Sequence, residues 1–384
     1  MRNKIVLLMI LVLMSLSMEL FSQTLCGNPV IVNDSLFANQ AYRRGLDLLD
    51  AGCAWSITTG HSDIIVGVID EEFNTIHEDL NDKFIGVDGS SFYRPNIYHG
   101  TSVSSCVAAA TNNNKGIASI GYNTRVKGYR AGSGLYDVRE FWPALEKAYQ
   151  DGVKIINVSY AGMNAMNLQS LRRMLNNGLV LVVSAGNTVT STSHSAYANI
   201  PGVINVSGVN PNDSAGPTNH ARNQWVDVCA LSESVAVCTL GNRYRLAAGT
   251  SYAAPQVAGV AALMRSVNPG LSSSDIENII KQTTDPIKDA GQYPGLVGTG
   301  RVNAYKAVKA ALCAPSSSSS TPKVYSKTLT AADKYEAVGS NILHVSNTTV
   351  KSNAKLALNA CSKITITAPF TVEQGASLDV RVGP

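Results

Sequence analysis

The sequence predicts an α/β protein: a parallel sheet with helices on both faces, followed by a small C-terminal β module. Three observations predict this. Runs rich in Val, Ile and Leu recur at residues 64–70, 153–158 and 179–184, as strands buried on both faces require. Segments with apolar residues at helical spacing stand between those runs, an alternation that implies parallel strands joined by helices. After a stretch rich in Ser and Pro, the pattern changes to apolar–polar alternation, the period of a strand with two unlike faces.

In chain order, Arg2 and Lys4 precede an apolar segment at residues 5–16. That segment is short for a membrane span and reads as a secretory signal peptide over residues 1–22, cleaved near Ser22 and Gln23. Gln23-Thr24-Leu25 ahead of Cys26 lacks the small residues of a lipoprotein signal. A secreted or cell-surface protein is expected, with a membrane-anchored form as the alternative. Residues 24–313 then form the main domain. Residues 64–70 read as a strand ending in Asp70, and a helix-like run leads from His99 to Ala110. A helix is expected over 137–150, with Phe141, Leu145 and Ala148 on one face, then a strand over 153–158 and a helix over Leu168–Asn176. The strand at 179–184 leads into Ala185-Gly186-Asn187. Val257, Val260, Ala261 and Met264 recur at helical spacing behind Ser251, and Pro255 is expected in that helix's first turn, where backbone N–H groups lack partners. Residues 276–281 and 302–312 read as closing helices. Residues 314–323, with five consecutive serines between Pro315 and Pro322, read as a linker. The alternating stretches at 343–350 and 364–382 place the β module at 324–384. Its expected role is either sorting and surface attachment, through cell-surface or secretion-machinery contact, or added stability.

Composition narrows the function classes. Lys and Arg number 31 against 27 Asp and Glu, for a net charge of +4. No basic cluster accompanies that small excess, so nucleic-acid binding has no support. Seven cysteines in an exported chain predict disulfides and leave at least one thiol unpaired. Cys229 and Cys238 flank an expected hairpin and are one candidate pair; Cys26 and Cys53 are another. Cys106 falls on the apolar side of the helix after His99 and reads as a buried thiol. The spacing carries no zinc signature.

The chemistry-bearing residues form an ordered set. Ser251 sits in Gly249-Thr250-Ser251-Tyr252-Ala253-Ala254-Pro255, at an expected helix start whose free N–H groups and positive end can stabilise an oxyanion. A serine hydroxyl needs a base and a group that orients the base. His99-Gly100-Thr101 supplies a histidine, and Asp70 stands at the carboxyl end of a strand, where α/β sheets place catalytic groups. Taken singly, each has a plain structural reading as a loop, a helix cap or a turn residue.

The order Asp70, His99, Ser251, with HGT around the histidine and GTSYAAP around the serine, resembles the subtilisin family of serine proteases. The resemblance covers residues 33–313 and is closest in spacing to thermitase-like members. It implies a secreted serine endopeptidase acting on polypeptides, with a catalytically inactive, peptide-binding protein of the same fold as the alternative. Ser251 is then the nucleophile, His99 the base and Asp70 its orienter, with Asn187 donating to the oxyanion. Ser159, Tyr160, Ala161 and Gly162 would pair with extended substrate, and Ala185 and Gly186 would line the opposite wall of the primary pocket. Leucine is usual where Tyr160 stands, which implies a narrower or more polar neighbouring pocket. The resemblance also implies a calcium ion held by Asp34, Asp79, the Asn113 side chain and the carbonyls of Ala110, Lys115 and Ile117. The segments at 33–37 and 54–60 resemble the start of a mature domain, so folding without a propeptide from this chain is expected. One departure stands out. The family usually follows its aspartate with Thr or Ser and then Gly, whereas Asp70 is followed by Glu71 and Glu72, two added negative charges.

Overall fold

The computed structural model describes residues 26, 29–89, 98–132, 141–160, 167–192, 197–315, 323–325, 328–329, 334–339, 342–361 and 363–382. The expected signal peptide, most of the expected linker, residues 137–140 and the pair Ala161 and Gly162 lie outside them. The elements of the main domain are α1 (Gln40–Leu49), α2 (Ala51–Trp55), β1 (Ile65–Asp70), β2 (Phe84–Asp88), α3 (His99–Ala108), β3 (Arg125–Arg130), α4 (Phe141–Gln150), β4 (Ile155–Val158), α5 (Leu168–Asn176) and β5 (Val180–Ser184). They continue as β6 (Val203–Val209), β7 (Val228–Leu231), β8 (Val235–Thr239), β9 (Arg243–Ala247), α6 (Thr250–Val267), α7 (Ser273–Gln282) and α8 (Ala304–Cys313).

Seven strands form one parallel sheet in the order β2-β3-β1-β4-β5-β6-β7. The apolar runs follow from its two covered faces. Val66, Val68, Val180 and Val182 point into a core shared with α3, α6 and α8, while Ile69, Leu181 and Val183 point into a second core with α4 and α5. Successive side chains alternate between faces, and here both faces are dry. The expected strands and helices are found with ends shifted by a few residues. β8 and β9 form a separate antiparallel hairpin.

Beyond the main domain lie nine short strands: β10 (Lys323–Tyr325), β11 (Thr328–Leu329), β12 (Lys334–Gly339), β13 (Ile342–Val345), β14 (Thr348–Val350), β15 (Lys355–Ala360), β16 (Lys363–Ile366), β17 (Phe370–Val372) and β18 (Ser377–Val382). They make three parallel sheets of three strands, β10-β13-β16, β11-β14-β17 and β12-β15-β18. The chain therefore winds as a three-rung solenoid, each rung adding one strand to each sheet. Period-two alternation revealed the strands but not this winding, because alternation is the same in any sheet.

The cysteines depart from expectation in one pair. Cys26 and Cys53 are bonded as expected, but Cys229 and Cys238 are both free. The hairpin does not include Cys229: that residue lies on β7 in the parallel sheet, its thiol directed at the Val297 carbonyl, 3.4 Å away. Cys238 packs instead with Leu80, Ala109 and Ile117. The second disulfide is Cys313–Cys361, which clips the end of α8 to the solenoid. Cys106 is a buried thiol as expected. Burial raises the thiol pKa of all three free cysteines, that of Cys229 to about 12. The folded protein should therefore show no reaction with an aromatic disulfide reagent at neutral pH, whereas unfolding without reductant should release three thiols. Release of one thiol would restore the Cys229–Cys238 pairing.

Candidate active site

The carboxyl ends of β1, β4 and β5 meet the first turns of α3 and α6. Asp70 closes β1 and is 1 % exposed. The nearer of its oxygens to His99 accepts the Glu71 N–H at 2.9 Å, and His99 Nδ1 stands 2.9 and 3.0 Å from the two carboxylate oxygens. That pairing directs Nε2 away from the carboxylate. The HGT motif has a local reason. A Cβ at Gly100 would stand 2.7 Å from the Glu72 carbonyl oxygen and 2.8 Å from the Phe73 ring, so only glycine lets the start of α3 approach the turn after Asp70. Thr101 Oγ1 then accepts the Asn74 N–H at 2.7 Å, which ties the same turn to the helix.

The segment before α6 is organised in the same way. Gly249 has φ 142°, a conformation other residues rarely adopt. Thr250 donates its N–H at 2.8 Å and its hydroxyl at 3.0 Å to Asn187 Oδ1, and its Oγ1 accepts the Gly186 N–H at 3.1 Å. With Oδ1 engaged in this way, Asn187 has its amide Nδ2 to give to a developing anion. The Ser251 N–H lies in the first turn, where no carbonyl four residues back is available.

Ser251 is 8 % exposed. Its hydroxyl donates to the Ser159 carbonyl at 2.8 Å, and the Ser159 hydroxyl donates back to the Ser251 carbonyl at 2.8 Å. In this arrangement the Ser251 hydroxyl is not bonded to His99, so a rotation about its Cα–Cβ bond is required before it can meet Nε2. The reciprocal pair also corrects the expectation for Pro255. This proline is the sixth residue of α6, beyond the first turn, and its missing N–H deprives the Ser251 carbonyl of a helical donor. The Ser159 hydroxyl supplies that donor.

Burial disfavours a charged His99, but the Asp70 carboxylate, its hydrogen bond and the Glu71 carboxylate outweigh it, with Arg245 acting in the opposite sense, and the imidazole pKa is raised. Glu72, the other acidic departure, is paired with Arg130 at 2.9 Å. Glu71 is thus the departure that acts on His99. Three neighbours had no signal in the sequence. Arg245 lies over the Tyr98 ring at 5.3 Å from its centroid, and Tyr252 stands 5.8 Å from the His99 ring. Thr250 looked like part of a serine motif, yet it is the group that orients Asn187.

The expected substrate wall is partly altered. Ser159, Ala185 and Gly186 are buried beside Thr250 and Ser251. The Tyr160 side chain turns into the core, edge-on to Phe141 at 6.2 Å between centroids, with its hydroxyl unpartnered. Its ring therefore belongs to the second core with Phe141. Ala161 and Gly162 lie outside the described residues.

The expected calcium residues do converge. Asp34 and Asp79 are buried. Asp34 accepts the Asn112 N–H at 2.8 and 2.9 Å, and Asp79 accepts the Ile117 N–H at 2.9 Å. Among the described residues, no backbone N–H donates to the carbonyls of Ala110, Lys115 or Ile117. Burial, with the Asp34 and Glu78 charges adding to it against two hydrogen bonds, raises the Asp79 carboxyl to about 6. Two buried acids beside three undonated carbonyls fit a hard cation. Asn113 departs from expectation: its Nδ2 donates to Asp79 at 2.9 Å, and its Oδ1 accepts the Lys115 N–H at 2.8 Å.

A sequence profile of the subtilase family matches residues 61–305. The chain is 36 % identical over 288 residues to a thermophilic serine proteinase of a Bacillus species (strain AK1), spanning 72 % of this chain and 69 % of that one. It is 32 % identical over 292 residues to thermitase of Thermoactinomyces vulgaris, spanning 72 % of this chain and 99 % of thermitase. Among solved structures it resembles a protease of Pseudoalteromonas arctica, with a TM-score of 0.60, 25 % identity and coverage of 74 % of this chain and all of that one.

A negative charge beside an imidazole favours its protonated form, so Glu71→Thr should lower the pKa of His99. Added salt should shrink the difference, since Glu71 is partly exposed. NMR titration of the His99 ring carbons measures both. An identical titration in the two proteins at low salt would show that Glu71 does not act on His99.

Proposed function

The chain belongs to the subtilase family and is a subtilisin-like serine endopeptidase, and from that premise we propose that Ser251, His99, Asp70 and Asn187 carry its chemistry outside the cell. The observation that carries this reading is the convergence of three strand ends and two helix starts on one cluster, with His99 Nδ1 2.9 Å from Asp70. Ser251 leaves its bond to Ser159 and attacks the scissile carbonyl carbon as its proton passes to His99 Nε2. Asp70 fixes the ring and stabilises the imidazolium. Asn187 Nδ2 and the Ser251 N–H stabilise the oxyanion. His99 then returns the proton to the leaving amine, and water cleaves the acyl-enzyme by the same path in reverse. Polypeptides are the substrates. The backbone at Ser159 and Tyr160 supplies an edge for an extended peptide.

One observation favours a second reading. The Ser251 hydroxyl rests on Ser159 rather than His99, as a silent peptide-binding relative would have it. Labelling by a fluorophosphonate separates the two, because only an activated serine reacts.

The proposal extends to export and to calcium. Residues 1–22 serve as the signal peptide, and the solenoid serves cell-surface or secretion-machinery contact. Asp34, Asp79 and the carbonyls of Ala110, Lys115 and Ile117 would hold calcium, with Asn113 contributing its oxygen if its amide turns over. Bound there, the ion supplies positive charge to two buried carboxylates and closes the loop after α3.

Ser251→Ala should abolish hydrolysis and labelling with the fold intact by circular dichroism. Asn187→Ala should lower kcat by about 10²–10³ with little change in KM, a magnitude established on a subtilisin rather than by this structure. Wild-type turnover in Ser251→Ala would overturn the assignment.

A melting series tests the ion. The folded pKa of Asp79 lies above its ordinary value of 3.8, at about 6. The calcium-free protein should therefore lose stability as pH rises through that window, by about 3 kcal/mol for a shift of about two units. Calcium should reverse the loss. Asp79→Asn should melt higher than the chelated wild type at neutral pH and no longer respond to calcium. A Tm indifferent to chelator across this range would remove the site.

A further inference from the structure

Among the described residues, the second rung of the solenoid is covered and the third is exposed. In the second rung, Val345, Val350, Leu358 and Ala360 point inward and are 0 % exposed. Their register partners in the third rung are Ile366, Val372, Val380 and Val382, which are 40, 39, 45 and 53 % exposed. The positions are equivalent, but among the described residues no further strand covers the third rung. A rung exposed in this way presents apolar side chains and a sheet edge.

The sequence of β18, Ser377-Leu378-Asp379-Val380-Arg381-Val382, decides what fits there. We propose that this end is an interface between two copies of the chain, formed by antiparallel pairing of β18 with its counterpart about a twofold axis at Val380. In that register Val380 opposes itself, Leu378 opposes Val382, and Asp379 opposes Arg381 on both sides of the axis. Centring the axis one residue earlier sets Asp379 against Asp379, and one residue later sets Arg381 against Arg381. Like charges directly opposite each other destabilise a pair of strands, so the Val380 register is selected on charge as well as on apolar contact. The interface is isologous and closes after two copies. It buries the four apolar side chains of the last rung and pairs the β18 edge.

Sedimentation velocity on the full chain tests this, with β18 variants that lie far from Ser251 in sequence. The wild type should sediment at twice the chain mass. Asp379→Arg and Arg381→Asp should each give monomer, because each sets like charges face to face, and the double variant should recover the dimer. Val380→Cys should form a covalent dimer under mild oxidation. A monomer at every soluble concentration overturns the proposal, including the case in which a strand of another protein occupies this edge. A dimer that survives both single substitutions, or a double variant that stays monomeric, overturns it as well.

Discussion

The main domain depends on one buried helix. Every residue of α6 except Ser266 is buried, and the helix shares one core with a face of the parallel sheet. That burial fixes the height of the helix start over the strand ends, and so fixes Ser251 relative to Asp70 and Asn187. The proline within the helix would weaken this arrangement by leaving the Ser251 carbonyl without a donor. The Ser159 hydroxyl fills that place, and the same contact locks the end of β4 to the helix start. Packing and local hydrogen bonding thus fix Ser251 together.

Buried acids in this protein are handled in two ways. Asp70 meets His99 Nδ1 and accepts from the Glu71 backbone, which fixes the orientation of the carboxylate toward the ring. The Asp34 charge raises the cost of charging Asp79, and burial lifts both pKa values. In the proposed reading, the first arrangement would orient a histidine that accepts a proton, and the second would be relieved by a cation. Their difference comes from the partners each carboxylate meets in the fold.

The solenoid is attached by more than the linker. Cys313–Cys361 bridges 48 positions of sequence, and Cys361 packs against the main core. The bond therefore ties the chain just ahead of β16 to the end of α8.

The sequence by itself determined the sheet class, the order of its strands and helices along the chain, and the residues proposed to carry the chemistry. Strands 64–70 and 179–184 were legible because both faces are buried, which makes apolar character continuous. His99, Ser251 and Asn187 were legible because their small neighbours, Gly100 and Gly249 among them, are dictated by local backbone geometry. Only the tertiary structure decided the rest. The fate of Cys229 depended on which sheet its strand joined. Glu72 proved silent because Arg130, 58 positions away, meets it. Tyr160 turned inward because Phe141 offered it a core contact, and Asn113 turned its nitrogen to Asp79 because Lys115 claimed its oxygen. Each outcome rests on a contact between residues remote in sequence or on a choice between two atoms of one side chain, and neither leaves a periodic trace.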